Sequence, residues 1–396
     1  MLFRPRVRSG RQDHVQRFSV SYECPVIFGR DVFDPQNPML AGVLRRREPG
    51  KRHRVAVFAD DGVLAAHPEL EKTIRRYAAA HAGAMEIVGD VVPVPGGEVA
   101  KNDPSIVQAL LSALLKRSVD RHSYALAIGG GAVLDAVGFA ASIFHRGVRL
   151  VRLPTTVLAQ ADSGVGVKNA VNHLGLKNLL GTFAPPFAIV NDGAFIDRLP
   201  AREKRGGMAE AVKVALIRDH DFFAWLESRA ETLASFEPES LECLVRWCAD
   251  LHMRQIAHGG DPFETGASRP LDFGHWSAHK LEILTGHALS HGEAVAIGIA
   301  LDARYSVLAG LLARGQEDRI RAVLVALGFD LRSEAVRQRD SSGRLSILGG
   351  LRDFQEHLGG ELTVTLLGGI GRSVDVHAID EDLVERSVCW LTDELA

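Results

Sequence analysis

Four histidines, His275, His279, His287 and His291, fall within seventeen residues of a 396-residue chain that has 16 histidines in all. Glu282 and Glu293 stand among them. His275 and His291 lie on successive apolar runs of helical spacing, so they can converge on one face of a bundle. Another helical run, GGMAEAVK (Gly206–Lys213), offers Glu210 as a third ligand. One carboxylate and two imidazoles with an open position form the ligand set of a catalytic zinc site, where water or substrate completes the coordination. His279, one turn from His275, reads as a further ligand, a substrate donor or a proton shuttle. His287 reads as a ligand or as structural, and Glu293 as a carboxylate that orients a ligand.

Other stretches suit phosphate and hydroxyl groups. In AIGGGAVLDAVGFAA (Ala127–Ala141), Gly129, Gly130 and Gly131 sit between a strand and a helix. Backbone N–H groups at such a helix start can meet a pyrophosphate. The run is not a strict G-x-G-x-x-G, and a tight turn without a ligand would read the same way. Asp135, one turn further, suits a hydroxyl better than a phosphate. LPTTVLAQADSGVGVKNAVN (Leu153–Asn172) holds Thr155, Thr156, Asp162, Ser163 and Lys168 between glycines, and its interleaved apolar residues predict a buried loop. GLKNLLGTFAPP (Gly175–Pro186) sets Lys177 beside Asn178 before an apolar turn, a place for an anion or for a solvated lysine. PGGEVAKND (Pro95–Asp103) places Glu98 and Lys101 at a strand end, suited to a ribose or to an ordinary ion pair.

These residues need a frame. Strands are predicted at Phe18–Cys24, Arg54–Ala59, Val88–Val94, Tyr124–Ile128, Val148–Leu153 and Ala188–Asn191. Helices at His67–His81, Ser105–Lys116 and Ala132–Phe144 alternate with them. Such alternation implies a parallel sheet covered by helices on both faces, with its ligand beyond the carboxyl ends of the strands. After Leu199-Pro200 the spacing turns helical, over Gly206–Ile217, Asp221–Thr232, Leu241–Gln255, Phe273–Thr285, Gly292–Ala309 and Glu317–Leu327, with one late strand at Leu362–Leu366. Two domains are expected, 1–195 and 196–396, the change lying around Asn191–Arg205.

Composition narrows the class. A net charge of −3 gives no basic field for nucleic acid. No apolar run reaches eighteen residues, so no membrane span is expected. The basic N-terminus lacks the apolar stretch of a signal peptide. Cys24, Cys243, Cys248 and Cys389 form no C-x-x-C pair and are expected to be reduced thiols of a cytoplasmic protein.

Taken in order, GGGAVLDAVGFAA, PTTVLAQADSGVGVKNAVN, LKNLLGTFAPP, GMAEAVK, FGHWSAH and HGEAVAIGIA resemble the signatures of 3-dehydroquinate synthase and its sugar phosphate cyclase relatives. The resemblance covers nearly the whole chain. It implies an α/β, Rossmann-like N-terminal domain with a mostly parallel sheet that holds NAD. It also implies a mainly helical C-terminal domain that holds Zn2+, or Co2+ in its place, a sugar phosphate bound between the two, and a homodimer. It makes Glu210, His275 and His291 the metal ligands. It assigns Asp60, Glu98, Lys101, Gly130, Gly131, Asp135, Thr155, Thr156 and Lys177 to the cofactor. Asp162, Lys168, Asn178, Lys213, Arg254, Asp272 and His279 fall on substrate positions, with Lys168, Lys213, His279, Asp162 and Arg269 taking part in catalysis. Arg146 matches an arginine that reaches the neighbouring subunit's site.

The implied reaction is NAD-assisted transient oxidation of a heptulose phosphate, elimination of phosphate, re-reduction, and intramolecular aldol closure to a carbocycle. The chain departs from the dehydroquinate synthase pattern at Ser268 and Phe354-Gln355, where basic residues are usual, at Asp272, where Asn is usual, and at Arg254, which replaces a usual lysine. RP-x-x-x-GH at Arg269–His275 is more similar to 2-epi-5-epi-valiolone synthases, and an Asp272 facing the pocket would repel a substrate carboxylate. A metal-dependent polyol dehydrogenase would share the architecture, but commonly has Asp at the Glu210 position and lacks the PTT and DSGVGVK context.

Overall fold

The computed structural model describes residues 16–263, 270–357 and 362–393. Its N-terminal half is built on a seven-stranded sheet of β1 (Val26–Gly29), β2 (His53–Asp60), β3 (Met85–Ile87), β4 (Val92–Val94), β5 (Tyr124–Gly129), β6 (Arg149–Pro154) and β9 (Ala188–Asp192). The order is β1-β9-β6-β5-β2-β3, with β4 also on β2, and every pairing is parallel. Alternate side chains go to opposite faces. Val55, Val57, Tyr124, Leu126 and Ile128 enter one buried cluster, while Ala56, Phe58, Ala125 and Ala127 enter another. A parallel sheet buried on both faces explains why these strands read as unbroken apolar runs. From β2 the chain moves outward to β3 and β4, then crosses back to β5. The order therefore reverses between β2 and β5, and that crevice at the carboxyl ends is where such sheets take ligands.

The second half is helical around the largest apolar cluster, with a small antiparallel pair, β10 (Val364–Gly369) and β11 (Arg372–Val376). Four of its helices matter here. They are the Glu210 helix (Ala201–Arg218), the His252 helix (Pro238–His258), the His275 helix (His275–Leu284) and the His291 helix (His291–Leu308). No helix among the described residues is long and apolar enough to cross a membrane. All four cysteines are free.

Several expectations are corrected. Phe18–Cys24 is not a strand: Phe18, Val20 and Tyr22 are exposed, so their alternation has no sheet to bury against, and pairing starts at Val26. Val88–Val94 is not one strand. Gly89, at φ 77°, separates β3 from β4. The buried loop expected over Leu153–Asn172 and the apolar turn expected within Gly175–Pro186 are largely regular structure. A π-helical turn (Ala159–Ser163) follows β6, and β7 (Lys168–His173) pairs antiparallel with β8 (Leu176–Phe183). The strand expected at Leu362–Leu366 begins two residues later and gains β11 as a partner.

Candidate active site and metal centre

The metal group forms where two helix crossings are pulled tight. A Cβ on Gly292 would overlap the Gly206 carbonyl, and one on Gly298 would overlap the Gly274 carbonyl. The first approach brings the His291 helix onto the Glu210 helix. The second seats the start of the His275 helix on the His291 helix. Asp302 adds a lock, accepting from the Gly274 N–H at 3.1 Å and from Trp276 Nε1 at 2.9 Å. Glu293 accepts the Ser290 N–H at 2.8 Å, which starts the His291 helix. Arg202 also binds Glu293 at 2.6 Å, so Glu293 caps the helix and does not orient a ligand.

The outcome is a buried convergence. Glu210 Oε1 lies 3.3 Å from His291 Nε2 and 3.5 Å from His275 Nε2, and ligand atoms of the three residues all lie within 4.8 Å of one another. His275 Nδ1 lies 3.0 Å from the Phe273 carbonyl, and His291 Nδ1 lies 3.3 Å from Glu282 Oε2. Both rings are thus held from behind, with Nε2 turned toward the carboxylate. This is how metal-binding histidines are oriented. Glu210 Oε2 is buried without a hydrogen bond, though Lys213 pairs with it. The donor set fits a divalent metal such as zinc.

His279 joins the edge of this group, its ring centroid 5.4 Å from that of His275 and 5.9 Å from that of His291. With Glu282 and His291 it forms a second set of donor atoms within 4.8 Å. Burial, followed by His275 and His291, pushes its pKa well below the usual imidazole value. His287 lies outside. It is exposed, at φ 63°, and its N–H closes the end of the His275 helix on the Glu282 carbonyl at 2.7 Å.

Charge continues from the metal group toward the sheet. Lys213 is buried one turn past Glu210 and donates to Asp162 Oδ2 at 3.0 Å. Burial pushes the Glu210 carboxyl up, but Lys213 and His275 overcome it and hold the group well below the carboxylate range. Burial likewise works against the Lys213 ammonium, but Asp162 and Glu210 raise its pKa overall. Asp162 stands on the π-turn, a distortion common at functional sites. Gln160 anchors that turn by donating to the carbonyls of Pro154 at 3.0 Å and Asp192 at 2.9 Å.

At the sheet edge, Asp60 ends β2 and accepts from the Gly62 N–H at 2.9 Å, beside the Gly129-Gly130-Gly131 turn that ends β5. The turn opens a helix, Gly131–Ile143. The Thr155 N–H bonds the Gly129 carbonyl at 3.0 Å, yet the buried Thr155 hydroxyl has no partner. A half-buried helix start beside an unsatisfied hydroxyl fits a pyrophosphate-bearing nucleotide. Thr156 caps the next turn, accepting the Ala159 N–H at 3.0 Å. Asp135 faces Lys101 at 2.8 Å, which answers how a carboxylate is tolerated there. Lys101 also reaches Asn178, and Lys177 lies 3.9 Å from Glu98 and 3.4 Å from Glu282.

The other expected residues are spread more widely. Lys168 is exposed at the start of β7. Asp272 is half-buried in a 3-10 turn (Pro270–Asp272) leading into His275. Arg254 does not join the cluster: it is exposed and pairs with Asp250 at 2.8 Å. Arg146 is exposed, and Arg269 and Ser268 lie outside the described residues. Three residues were not anticipated. Glu282 takes the role expected of Glu293. Arg152 is fully buried and gathers the segment before β7, donating to the carbonyls of Gly164 at 3.1 Å and Lys168 at 2.6 Å and to Asn169 Oδ1 at 2.8 Å. His252 lies 3.6 Å from Asp162. A charged residue inside an apolar strand was the available signal for Arg152. Nothing in the spacing singled out His252.

The family model for the 3-dehydroquinate synthase N-terminal domain matches residues 91–206, and that for the C-terminal domain matches residues 207–344. The curated 3-dehydroquinate synthase of Acidithiobacillus ferrooxidans is 36% identical over 322 residues, covering 81% of this chain and 84% of that protein. Among solved structures, ValA (2-epi-5-epi-valiolone synthase) from Streptomyces hygroscopicus subsp. jinggangensis 5008, with NAD+ and Zn2+ bound, superposes with a TM-score of 0.82 at 27% identity. It covers 96% of this chain and 100% of its own. A 2-deoxy-scyllo-inosose synthase complexed with carbaglucose-6-phosphate, NAD+ and Co2+ has a TM-score of 0.74 at 23% identity, covering 92% and 95%, and so shares the fold.

Proposed function

Because this chain belongs to the 3-dehydroquinate synthase family of sugar phosphate cyclases, we propose that it converts a heptulose phosphate to a carbocycle. The steps are transient oxidation of a secondary alcohol, elimination of phosphate, re-reduction and intramolecular aldol closure. The observation that carries this reading is the buried chain of charge from Glu210 through Lys213 to Asp162, which joins the metal group to the turn beyond β6.

In this reading Glu210, His275 and His291 hold zinc, with cobalt an alternative, and the crevice between β2 and β5 holds NAD. Asp60, Gly130, Gly131, Thr155 and Thr156 line the nucleotide, and Glu98, Lys101, Asp135 and Lys177 fix the loop beside it. Bound NAD would supply reversible two-electron oxidation of the secondary alcohol, and bound zinc would supply Lewis acidity at its oxygen. The chain's own residues bind and orient. Lys213 holds Asp162 in place to meet a substrate hydroxyl. His279, neutral at pH 7, can accept or donate a proton beside the metal group. Lys168 and Asn178 serve the substrate phosphate, which itself acts as the base for elimination. Arg269 adds a guanidinium.

We also infer a homodimer. His145 and Arg146 hold successive left-handed conformations, φ 51° and 64°, and Arg146 is exposed; in this reading it reaches the partner's pocket. Free thiols suit a reducing cytoplasm.

A second reading, a 2-epi-5-epi-valiolone synthase-like cyclisation of sedoheptulose 7-phosphate, is favoured by Asp272 ahead of His275 and by Arg254 turned to solvent. A substrate carboxylate near Asp272 would meet repulsion. Phosphate release from sedoheptulose 7-phosphate and from 3-deoxy-arabino-heptulosonate 7-phosphate, with products identified, tests both readings. Turnover of the 3-deoxy acid alone removes the second. Net NADH from a simple polyol, with no phosphate released from either sugar, replaces both with a dehydrogenase.

A further inference from the structure

His252 is buried on the inner face of its helix, only 9% exposed, and its Nδ1 has no hydrogen-bond partner. A buried polar atom left this way costs stability unless something else satisfies it. Asp162 Oδ1 lies 3.6 Å away, beyond hydrogen-bond reach. The other oxygen of that carboxylate is taken by Lys213. An oxygen set beside this 3.6 Å gap would lie within hydrogen-bond reach of both atoms. A single hydroxyl can do this, donating its hydrogen to Asp162 and accepting from the Nδ1–H. The charges acting on the ring are Asp162, Lys213, Lys168 and Glu210, all placed above in the substrate and metal groups. Burial lowers the imidazole pKa, which agrees with a neutral donor.

We propose that His252 is a substrate-binding residue which, with Asp162, grips one hydroxyl of the sugar phosphate. The inference rests on the cyclase reading and adds a residue to it. In the free enzyme a water can fill the same place, to be displaced by the sugar.

The test uses the metal- and NAD-loaded enzyme and compares wild type with His252→Phe and His252→Asn, the second retaining a donor. Initial rates of phosphate release give KM and kcat on whichever heptulose phosphate the wild type accepts. Metal content and NAD affinity are measured alongside. Loss of one hydrogen bond to substrate is expected to raise KM on the order of 10-fold in His252→Phe, with metal content and NAD affinity unchanged and partial recovery in His252→Asn. An unchanged KM in both variants overturns the proposal. So does a parallel loss of bound metal, which would make His252 a support for Glu210 and Lys213. If His252→Phe does not fold, the His252→Asn result decides. A wild type that releases phosphate from neither sugar overturns the cyclase reading and this inference together. An active wild type with indifferent variants removes the inference alone.

Discussion

Gly292 packs against the Gly206 carbonyl with no space for a side chain, while Gly206 itself has space: a Cβ there would lie 4.0 Å from the Gly292 Cα. Two glycines at one crossing are therefore unequal. Gly292→Ala should force the helices apart and cost roughly 1–3 kcal/mol. Gly206→Ala should be neutral or slightly stabilising, by up to about 1 kcal/mol from helix propensity. Urea midpoints of the two variants check the asymmetry. Zinc bound per chain checks whether the crossing sets the distance between His291 and Glu210, and should fall only for Gly292→Ala.

Glu282 stands behind His291 and is held to a pKa of about 2: burial opposes this, but His291 and then Lys177 prevail. Glu282→Gln keeps the shape and removes the charge. Zinc affinity, measured by competition with a chromophoric chelator, should weaken about 10- to 100-fold. An unchanged affinity would show that His291 is oriented by packing alone.

Lys213 is the buried cation shared by Glu210 and Asp162. Lys213→Met should destabilise the metal-free protein by roughly 3–5 kcal/mol, because the buried Glu210 and the half-buried Asp162 lose their partner. Added zinc should recover more stability in the variant than in wild type, since the ion returns positive charge to Glu210. Denaturation with and without zinc distinguishes this from a simple packing defect, which zinc would not repair.

Asp302 is pushed up to about 7 by burial, against the hydrogen bonds from Trp276 and Gly274. The folded protein therefore holds this proton more tightly than the unfolded chain, whose value is near 3.8. The resulting stabilisation is present below that value and is lost as pH rises to about 7. Asp302→Asn cannot titrate. The melting-temperature advantage of wild type over the variant should shrink between pH 4 and 7. A constant difference would refute the shift.

Much of the fold could be read because a doubly covered parallel sheet writes itself as apolar runs, as in Tyr124–Ile128. The hairpin could not. Leu176, Leu179, Leu180 and Phe183 on β8 are exposed, so their order comes from pairing with β7 and leaves no burial pattern. Within the site, Glu210, His275 and His291 were legible as ligand types on helical runs. The division of labour between Glu282 and Glu293 was not, because both lie near His291 in sequence. The Ser290 N–H and Arg202 claim Glu293, which leaves Glu282 to face His291. Arg254 illustrates the limit of residue type alone: a basic side chain on the correct helix points outward, and His252, two residues earlier, points in.

Lys177 on β8 spans Glu98 in the sheet half and Glu282 behind a metal ligand, much as Lys213 spans Glu210 and Asp162. A cut after Pro200 would leave the first half with Asp162 and Lys177 stripped of Lys213 and Glu282. It would leave the second with Glu282 missing its lysine. Among the described residues no strand pairing joins the two halves, yet these ion pairs and the seating of Val157 and Ala161 in the helical core do. Separately expressed halves should have to find each other before either one settles.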